Sequence, residues 1–225
     1  FFLNVVHESD NLKEFLPFPS YFLLPFGLVI TVFLIRTYAP SASGHGTEKI
    51  IEAVHKKEGK IDFAVIPIKL VATVITIFTG GSVGKEGPGA QIGAGAASFI
   101  SKLAKFSAKD RKKLVICGIS AGFASVFGTP ISGAIFGIEV LIVGIIMYDV
   151  LLPSFIAGFA AYTTAKLLGV HYTYYFMDFI PFDITLILQV AVAGVFFGLV
   201  SYMFIIFIKQ AEVTIGAIKL NPYLK

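Results

Sequence analysis

The chain has 225 residues, of which 56% are hydrophobic and 14% charged, with a mean hydropathy of +0.84 and a formal net charge of +4. Ordinary soluble domains carry about 25% charged residues, and a chain this short cannot bury so much apolar surface within itself. A soluble enzyme, a nucleic-acid-binding module and a disordered segment are thereby excluded, and the lone Cys117 leaves neither a disulfide framework nor a cysteine metal site.

The chain begins at Phe1 rather than Met, which suggests a piece of a longer protein, and its acidic start lacks a signal-peptide pattern. A first apolar run covers 21–35 and stops at Arg36. Segment 36–60 is polar and basic (Arg36, Lys49, Lys56, Lys57, Lys60) and contains the small-residue stretch Ser41–Thr47. A second apolar run, 63–79, is broken only by Pro67 and Lys69 and ends in Gly80-Gly81-Ser82-Val83-Gly84-Lys85-Glu86-Gly87-Pro88. A helix-like run follows to about Leu103, then a basic stretch over 102–113 read as a loop. Residues 114–168 are nearly all apolar, with breaks at Gly128-Thr129-Pro130 and Tyr148-Asp149. An aromatic stretch, 171–176, precedes the last long run, 184–208.

Spanning a bilayer takes about 20 apolar residues per helix, and several of these runs are shorter or interrupted by Gly and Pro. Broken helices at membrane depth are tolerated only where their free backbone groups face protein or a polar cavity, which points to a transport fold rather than simple anchors. Lys- and Arg-rich segments face the cytoplasm. Segments 36–60, 102–113 and 209–225 are therefore inside, whereas 167–183, with Asp178 and Asp183 and no Lys or Arg, is outside. On this reading 61–101 enters from inside and returns inside, 114–168 makes three crossings, and the tyrosines at 172–175 suit the outer interfacial belt. Gly-x-x-x-Gly spacings occur at Gly80/Gly84, Gly89/Gly93, Gly118/Gly122, Gly133/Gly137 and Gly194/Gly198, each a candidate close helix contact or a chance match.

Three places carry chemistry. Gly87-Pro88 reads as a helix start, because Pro is favoured in the first helical turn, with Glu86 just ahead of it. Free amides and the positive end of the helix dipole there form an anion site. A carboxylate parked at such a site can be displaced by a soluble anion or can leave by taking up a proton. That is the outline of an anion gate; the other reading is a loop carboxylate capping a helix at the membrane surface. Gly44-His45-Gly46-Thr47, ahead of Glu48 and the periodic Ile50, Ile51 and Val54, is a second glycine loop before a helix, readable as an anion site or as a flexible cytoplasmic loop. A metal role for His45 has no ligand spacing behind it, since His55 lies ten residues on. Lys69, inside an apolar run, either adds positive potential to an anion pathway or snorkels to the surface.

Gly84-Lys85-Glu86-Gly87-Pro88 matches the G-[KR]-E-G-P signature of the CLC family of chloride channels and proton-coupled anion exchangers. Gly80-Gly81 before it, the spacing of Lys69, Gln91–Gly95 after it, Gly118–Ala124 and Thr129–Val140 resemble the family in the same order. The resemblance covers about residues 20–215. It implies an all-α membrane protein, a CLC-type bundle of tilted and broken helices that forms the first of two inverted-topology halves. The family's later G-x-F-x-P motif and late pore tyrosine have no match here, so the chain is expected to be one membrane domain over 1–225 whose second half is missing. The resemblance also implies an inorganic anion as transported ligand with no cofactor and no metal. It further implies a lipid bilayer, the inner (plasma) membrane, as its setting and a homodimer formed through about 130–141 and 147–168.

By the same resemblance Glu86 is the gating glutamate, Gly44, His45, Gly46, Thr47, Gly84, Lys85 and Gly87 bind the anion, and Lys69 shapes the field. Two departures stand out. Where the family usually has G-S-G-I-P, this chain has Gly44-His45-Gly46-Thr47-Glu48, so an imidazole replaces the serine. Val140 occupies the position of the proton glutamate of exchangers, and Val there is typical of passive channels and also occurs in a fluoride-exporting branch. The expectation is a voltage- or pH-gated chloride channel, with a proton-coupled antiporter for chloride or fluoride as the alternative. A non-transporting membrane scaffold is more remote, and an enzyme is not expected because the histidines are scattered and lack a nucleophile–base pair.

Overall fold

The protein is described by a computed structural model over residues 20–140, 148–172 and 183–217. Among these residues the regular structure is helical: a 3-10 turn at Ser20–Leu23, then α1 (Leu24–Tyr38), α2 (Thr47–Lys56), α3 (Val65–Phe78), α4 (Glu86–Leu103), α5 (Ala108–Phe127), α6 (Pro130–Glu139), α7 (Tyr148–Leu167) and α8 (Ile184–Ala217). They fall into two compact units, one ending at Tyr172 and the other containing α8.

Local sequence explains most boundaries. Proline stands in the first turns of α1, α3, α4 and α6, where its missing N–H is not needed. Ser107 caps α5, its hydroxyl accepting the Asp110 N–H at 3.1 Å, and Gly128 ends the helix in the left-handed region at φ +71°. The basic stretch 102–113 is not a loop. Only 104–107 interrupts the helices, and α5 already includes Lys109 to Lys113, because the Ser107–Asp110 cap starts the helix before the apolar run begins.

In the first unit a single apolar cluster joins five helices: Ile50 and Val54 of α2, Ala90 and Ala94 of α4, Val115, Ile116 and Ile119 of α5, Ile138 of α6 and Val150 of α7. Around it the helices approach closely through glycine. A side chain at Gly93 would run into the Gly118 carbonyl, and one at Gly122 into the Gly89 carbonyl, so α4 and α5 touch backbone to backbone. Gly133 and Gly137 bring α6 equally close to Ser120 and Ala124 of α5. Gly80/Gly84 falls in the α3–α4 turn, and nothing lies within 4 Å of where side chains at Gly194 and Gly198 would be.

Two of the basic segments, 36–60 and 102–113, meet within the first unit. Gly59 lies against the backbone of Arg111 and Lys112, and Lys113 of α5 pairs with Asp149 of α7 at 2.6 Å. At the far end of α5, the Tyr172 hydroxyl donates to the Ser125 carbonyl at 2.7 Å with its ring over Gly128. Tyr172 is thus turned onto α5; residues 173–175 of the expected aromatic belt lie outside the described residues, as do the acidic start and the last lysines. These pairings agree with α5 and α7 starting on one side and α5 ending on the other.

α3, with 14 residues, is about 21 Å long at about 1.5 Å per residue, short of the roughly 30 Å hydrocarbon core. α1, with 15 residues, is similarly short. Among the described residues two helices are long and apolar enough to cross a membrane, α7 and α8 over Ile184–Ile215, with mean hydropathies of 1.3 and 2.4. α8 forms its own unit, apolar on all sides, and starts where the Asp183 carboxylate accepts the Ile184 N–H at 2.7 Å.

Candidate functional site

The shortness of α3 has a direct consequence: the α3–α4 turn, which carries the Gly80–Pro88 motif, is reached after a climb of only about 21 Å. There it meets the loop between α1 and α2. A cavity of about 400 Å3 lies between them, lined by Gly44 and His45 of the loop, Ser82, Val83, Gly84 and Pro88 of the turn and start of α4, and Lys69, Thr73 and Thr76 of α3. Two segments 40 residues apart in sequence, each a glycine loop running into a helix start, thus face one space.

The loop is held from behind. Lys69 is buried at 5% exposure; its ammonium donates to the Ala42 carbonyl at 2.9 Å and the Gly44 carbonyl at 2.7 Å. It neither snorkels nor pairs with a carboxylate among the described residues. Charge-assisted hydrogen bonds of this kind are about twice as strong as neutral ones, and these two draw the loop's carbonyl oxygens toward α3. Gly44 and His45 remain exposed. The His45 ring lies with Nδ1 at 3.0 Å from the Thr47 hydroxyl, which leaves Nε2 as its other polar atom.

At the start of α4, Glu86 is half-buried and its carboxylate folds back over the α-carbon of Gly84, filling the place a side chain there would need. Gly87 is buried against His45; any side chain at 87 would strike the His45 carbonyl and ring. Gly46, at φ +110°, sits in backbone space that favours glycine and faces Gln91 and the Gly87 carbonyl. Lys85 is the residue before α4, half-buried. Of the residues singled out in the sequence, Gly44, His45, Lys69 and Gly84 line the cavity, Glu86 and Gly87 touch residues that line it, and Gly46, Thr47 and Lys85 form the flanks. Val140 lies elsewhere, at the end of α6, packed against the apolar cluster that holds Ile50 and Val54.

Sequence reasoning missed the hydroxyls. Thr31, Thr73 and Thr76 also line the cavity. Thr73 donates to the Lys69 carbonyl and Thr76 to the Ala72 carbonyl, both at 2.8 Å, and Thr31 lies 3.3 Å from Thr76. The signal was present: Lys69, Thr73 and Thr76 are spaced four and three residues apart and form a polar stripe on one face of an apolar helix. Gln91 was missed as well. No group of three or more His, Cys, Asp or Glu residues able to hold a metal occurs among the described residues.

This arrangement of helices defines a class, an all-helical membrane bundle with two glycine-loop helix starts at one cavity. The family model described as voltage gated chloride channel matches residues 26–225, and the chain belongs to that family, the CLC proteins. Among curated relatives it is 36% identical over 160 residues to the "Chloride/fluoride channel protein" of Pseudomonas syringae pv. tomato, covering 71% of this chain and 35% of that protein. It is 32% identical over 137 residues to the "H(+)/Cl(-) exchange transporter ClcA" of Salmonella arizonae, covering 60% of this chain and 28% of that protein.

The chain therefore spans about a third of the length of these relatives. Among solved structures it is similar to a CLC-type fluoride/proton antiporter, with a TM-score of 0.88 and 29% identity over 99% of this chain and 56% of that one. It also shares the fold of a slow cyanobacterial Cl-/H+ antiporter, with a TM-score of 0.76 and 21% identity over 97% of this chain and 53% of that one.

Proposed function

We propose that this chain supplies the first half of a CLC-type anion pathway, with an inorganic anion, chloride or fluoride, held in the cavity between the Gly44–Thr47 loop and the Gly84–Gly87 turn. The carrying observation is the meeting of those two segments on one cavity, with the Ala42 and Gly44 carbonyls of the first loop held by Lys69. Amides near the starts of α2 and α4 then favour a negative guest. Glu86 acts as the gate. Its carboxylate competes with the anion when charged and withdraws when protonated or displaced.

The working reading is passive, pH- or voltage-gated conduction, because the position of the exchangers' proton glutamate holds the apolar Val140 in a hydrophobic cluster. A second reading, proton-coupled exchange of chloride or fluoride, is favoured by the similarity to a fluoride/proton antiporter at 29% identity. In either case the pathway needs a second half to close it. α6 and α7 expose Ile131, Ile135, Leu152 and Ile156, which suits a homodimer contact within a bilayer. The chain acts as a transport subunit with no enzymatic step, cofactor or nucleic acid.

The test is anion efflux and internal pH recorded together from liposomes holding the full-length protein under chloride and then fluoride gradients. Glu86→Gln is expected to abolish the pH dependence of the flux. Unchanged pH dependence in this variant, with wild type active, refutes Glu86 as gate. Proton movement against its gradient selects the exchanger, and its absence selects the channel.

A further inference from the structure

The loop that lines the cavity is also the wall of a second space. On its other side lies a cavity of about 530 Å3 that Ser41 and Gln91 line together with Lys49, Lys56, Lys57 and Lys60. Gln91 projects from α4 into this wall at 2% exposure. Its Nε2 donates to the Ser41 carbonyl at 2.9 Å. A carbonyl needs a donor, so this bond fixes which end of the carboxamide is nitrogen. Oε1 is left facing Gly46, at 2.9 Å from where a side chain of residue 46 would begin, and it has no hydrogen-bond partner.

A buried carboxamide with one end orphaned is unusual and is best explained by what the other end does. Lys69 from α3 takes the Ala42 and Gly44 carbonyls, and Gln91 from α4 takes the Ser41 carbonyl. Three carbonyls of one short loop are thus held by two buried side chains from different helices. Gln91 stands on the same helix as Glu86, so it ties the loop to the gate's own element.

We propose that Gln91 is a positioning residue for anion selection: by holding the Ser41 carbonyl it fixes the Ser41–Gly46 loop and hence the donors that meet the anion. The inference rests on the anion-pathway reading above and names a determinant of that site. Fluoride, smaller and more strongly hydrogen-bonding than chloride, depends more on donor placement, so loosening the loop penalises fluoride first.

The experiment uses the full-length protein in liposomes in the Glu86→Gln background, which removes the titration of the gate. Gln91→Leu lacks both polar ends. Gln91→Glu keeps the shape and has no donor when ionised, but regains an O–H for the Ser41 carbonyl when protonated. Charged groups face this position from the second cavity, where Lys49, Lys56, Lys57 and Lys60 outnumber Glu58 and Asp62. Lys69 and His45 adjoin the loop from the other side. All of them are shared by the Gln91→Leu variant, so a pH effect confined to Gln91→Glu belongs to residue 91.

The expected result is a fluoride-to-chloride flux ratio lowered about fivefold to tenfold in Gln91→Leu at every pH, tenfold being the effect of about 1.4 kcal/mol. Gln91→Glu should show the same loss at neutral pH and recover in acid. Because one folded sample is compared with itself across pH, misfolding cannot imitate that recovery. A flux ratio in Gln91→Glu that does not move with pH overturns the proposal while leaving the pathway standing. Absence of anion flux in the wild type overturns both.

Discussion

Gly87→Ala is the sharpest test of how the start of α4 meets the loop. Two effects of opposite sign act at this position. Alanine is favoured over glycine in a helix by about 1 kcal/mol, and less in a first turn. Against this, the new methyl group would land on the His45 carbonyl and against its ring. A backbone carbonyl cannot move aside by changing rotamer, and overpacking of this kind costs about 1–3 kcal/mol. The net expectation is a destabilisation of about 1–2 kcal/mol, with the loop displaced from the cavity. Gly95→Ala on the same helix is the internal comparison. There the methyl group meets only the Ile66 side chain at 3.0 Å and the Ile61 side chain at 3.7 Å, both able to give, so its stability should hold or rise. Thermal unfolding of the detergent-solubilised protein reads the first quantity and anion efflux the second. Gly87→Ala should fall below wild type in both, and Gly95→Ala in neither. If Gly87→Ala equals Gly95→Ala in stability and carries wild-type flux, the contact between α4 and the loop does not exist as described.

Lys69→Met keeps the apolar stem but removes the donor to Ala42 and Gly44. Charge-assisted bonds contribute about 1.5–3 kcal/mol each, and their loss is offset by no longer burying a charge. The expected net is a stability loss of about 2–3 kcal/mol, seen as a lowered thermal midpoint, together with loss of anion flux; a midpoint at the wild-type value refutes the clamp. On the exposed face, Lys57 beside Glu52 holds its carboxyl below the usual carboxylate range. A carboxyl whose folded pKa is depressed adds stability above its unfolded pKa and loses it as pH falls through the folded value. Lys57→Ala should therefore raise the Glu52 midpoint toward the ordinary range, measured by NMR of labelled glutamate, while an exposed pair of this kind leaves overall stability almost unchanged.

The sequence made some of this architecture legible and hid the rest for physical reasons. The breaks at 79–88 and 128–130 were readable because glycine and proline act locally. Lys69 was readable as costly because a lone cation in an apolar run has few resting places. What it rests on was not readable: the Ala42 and Gly44 carbonyls lie 25 to 27 residues away. Gly89/Gly93 and Gly194/Gly198 have identical spacing, yet only the first pair meets a facing glycine helix. Spacing records the possibility of close approach and says nothing of the partner. Thr73 and Thr76 were overlooked because a hydroxyl in a membrane helix can bond its own preceding turn, as both do, so such residues leave the hydropathy pattern intact. The extent of the basic segment was misjudged at 108–113 because charge obscured a helix start that Ser107 and Asp110 encode.

The contacts around the cavity also bear on how a gate could work here. The loop is fixed to α3 by Lys69 and to α4 by Gln91, and Gly87 lies directly against His45. Moving the backbone at the start of α4 would therefore disturb the loop, and moving the loop would break buried hydrogen bonds to two helices. Such bonds are expensive to leave unmade. The Glu86 side chain, by contrast, crosses the α-carbon of Gly84, which has no side chain to obstruct it. If Glu86 is the gate, the low-energy motion is a side-chain rotation over a glycine, with the anion site left standing. It follows that any substitution at Gly84 should hinder that rotation without altering the loop, slowing opening more than it changes the preference among anions. Substitutions at Gln91 should do the reverse.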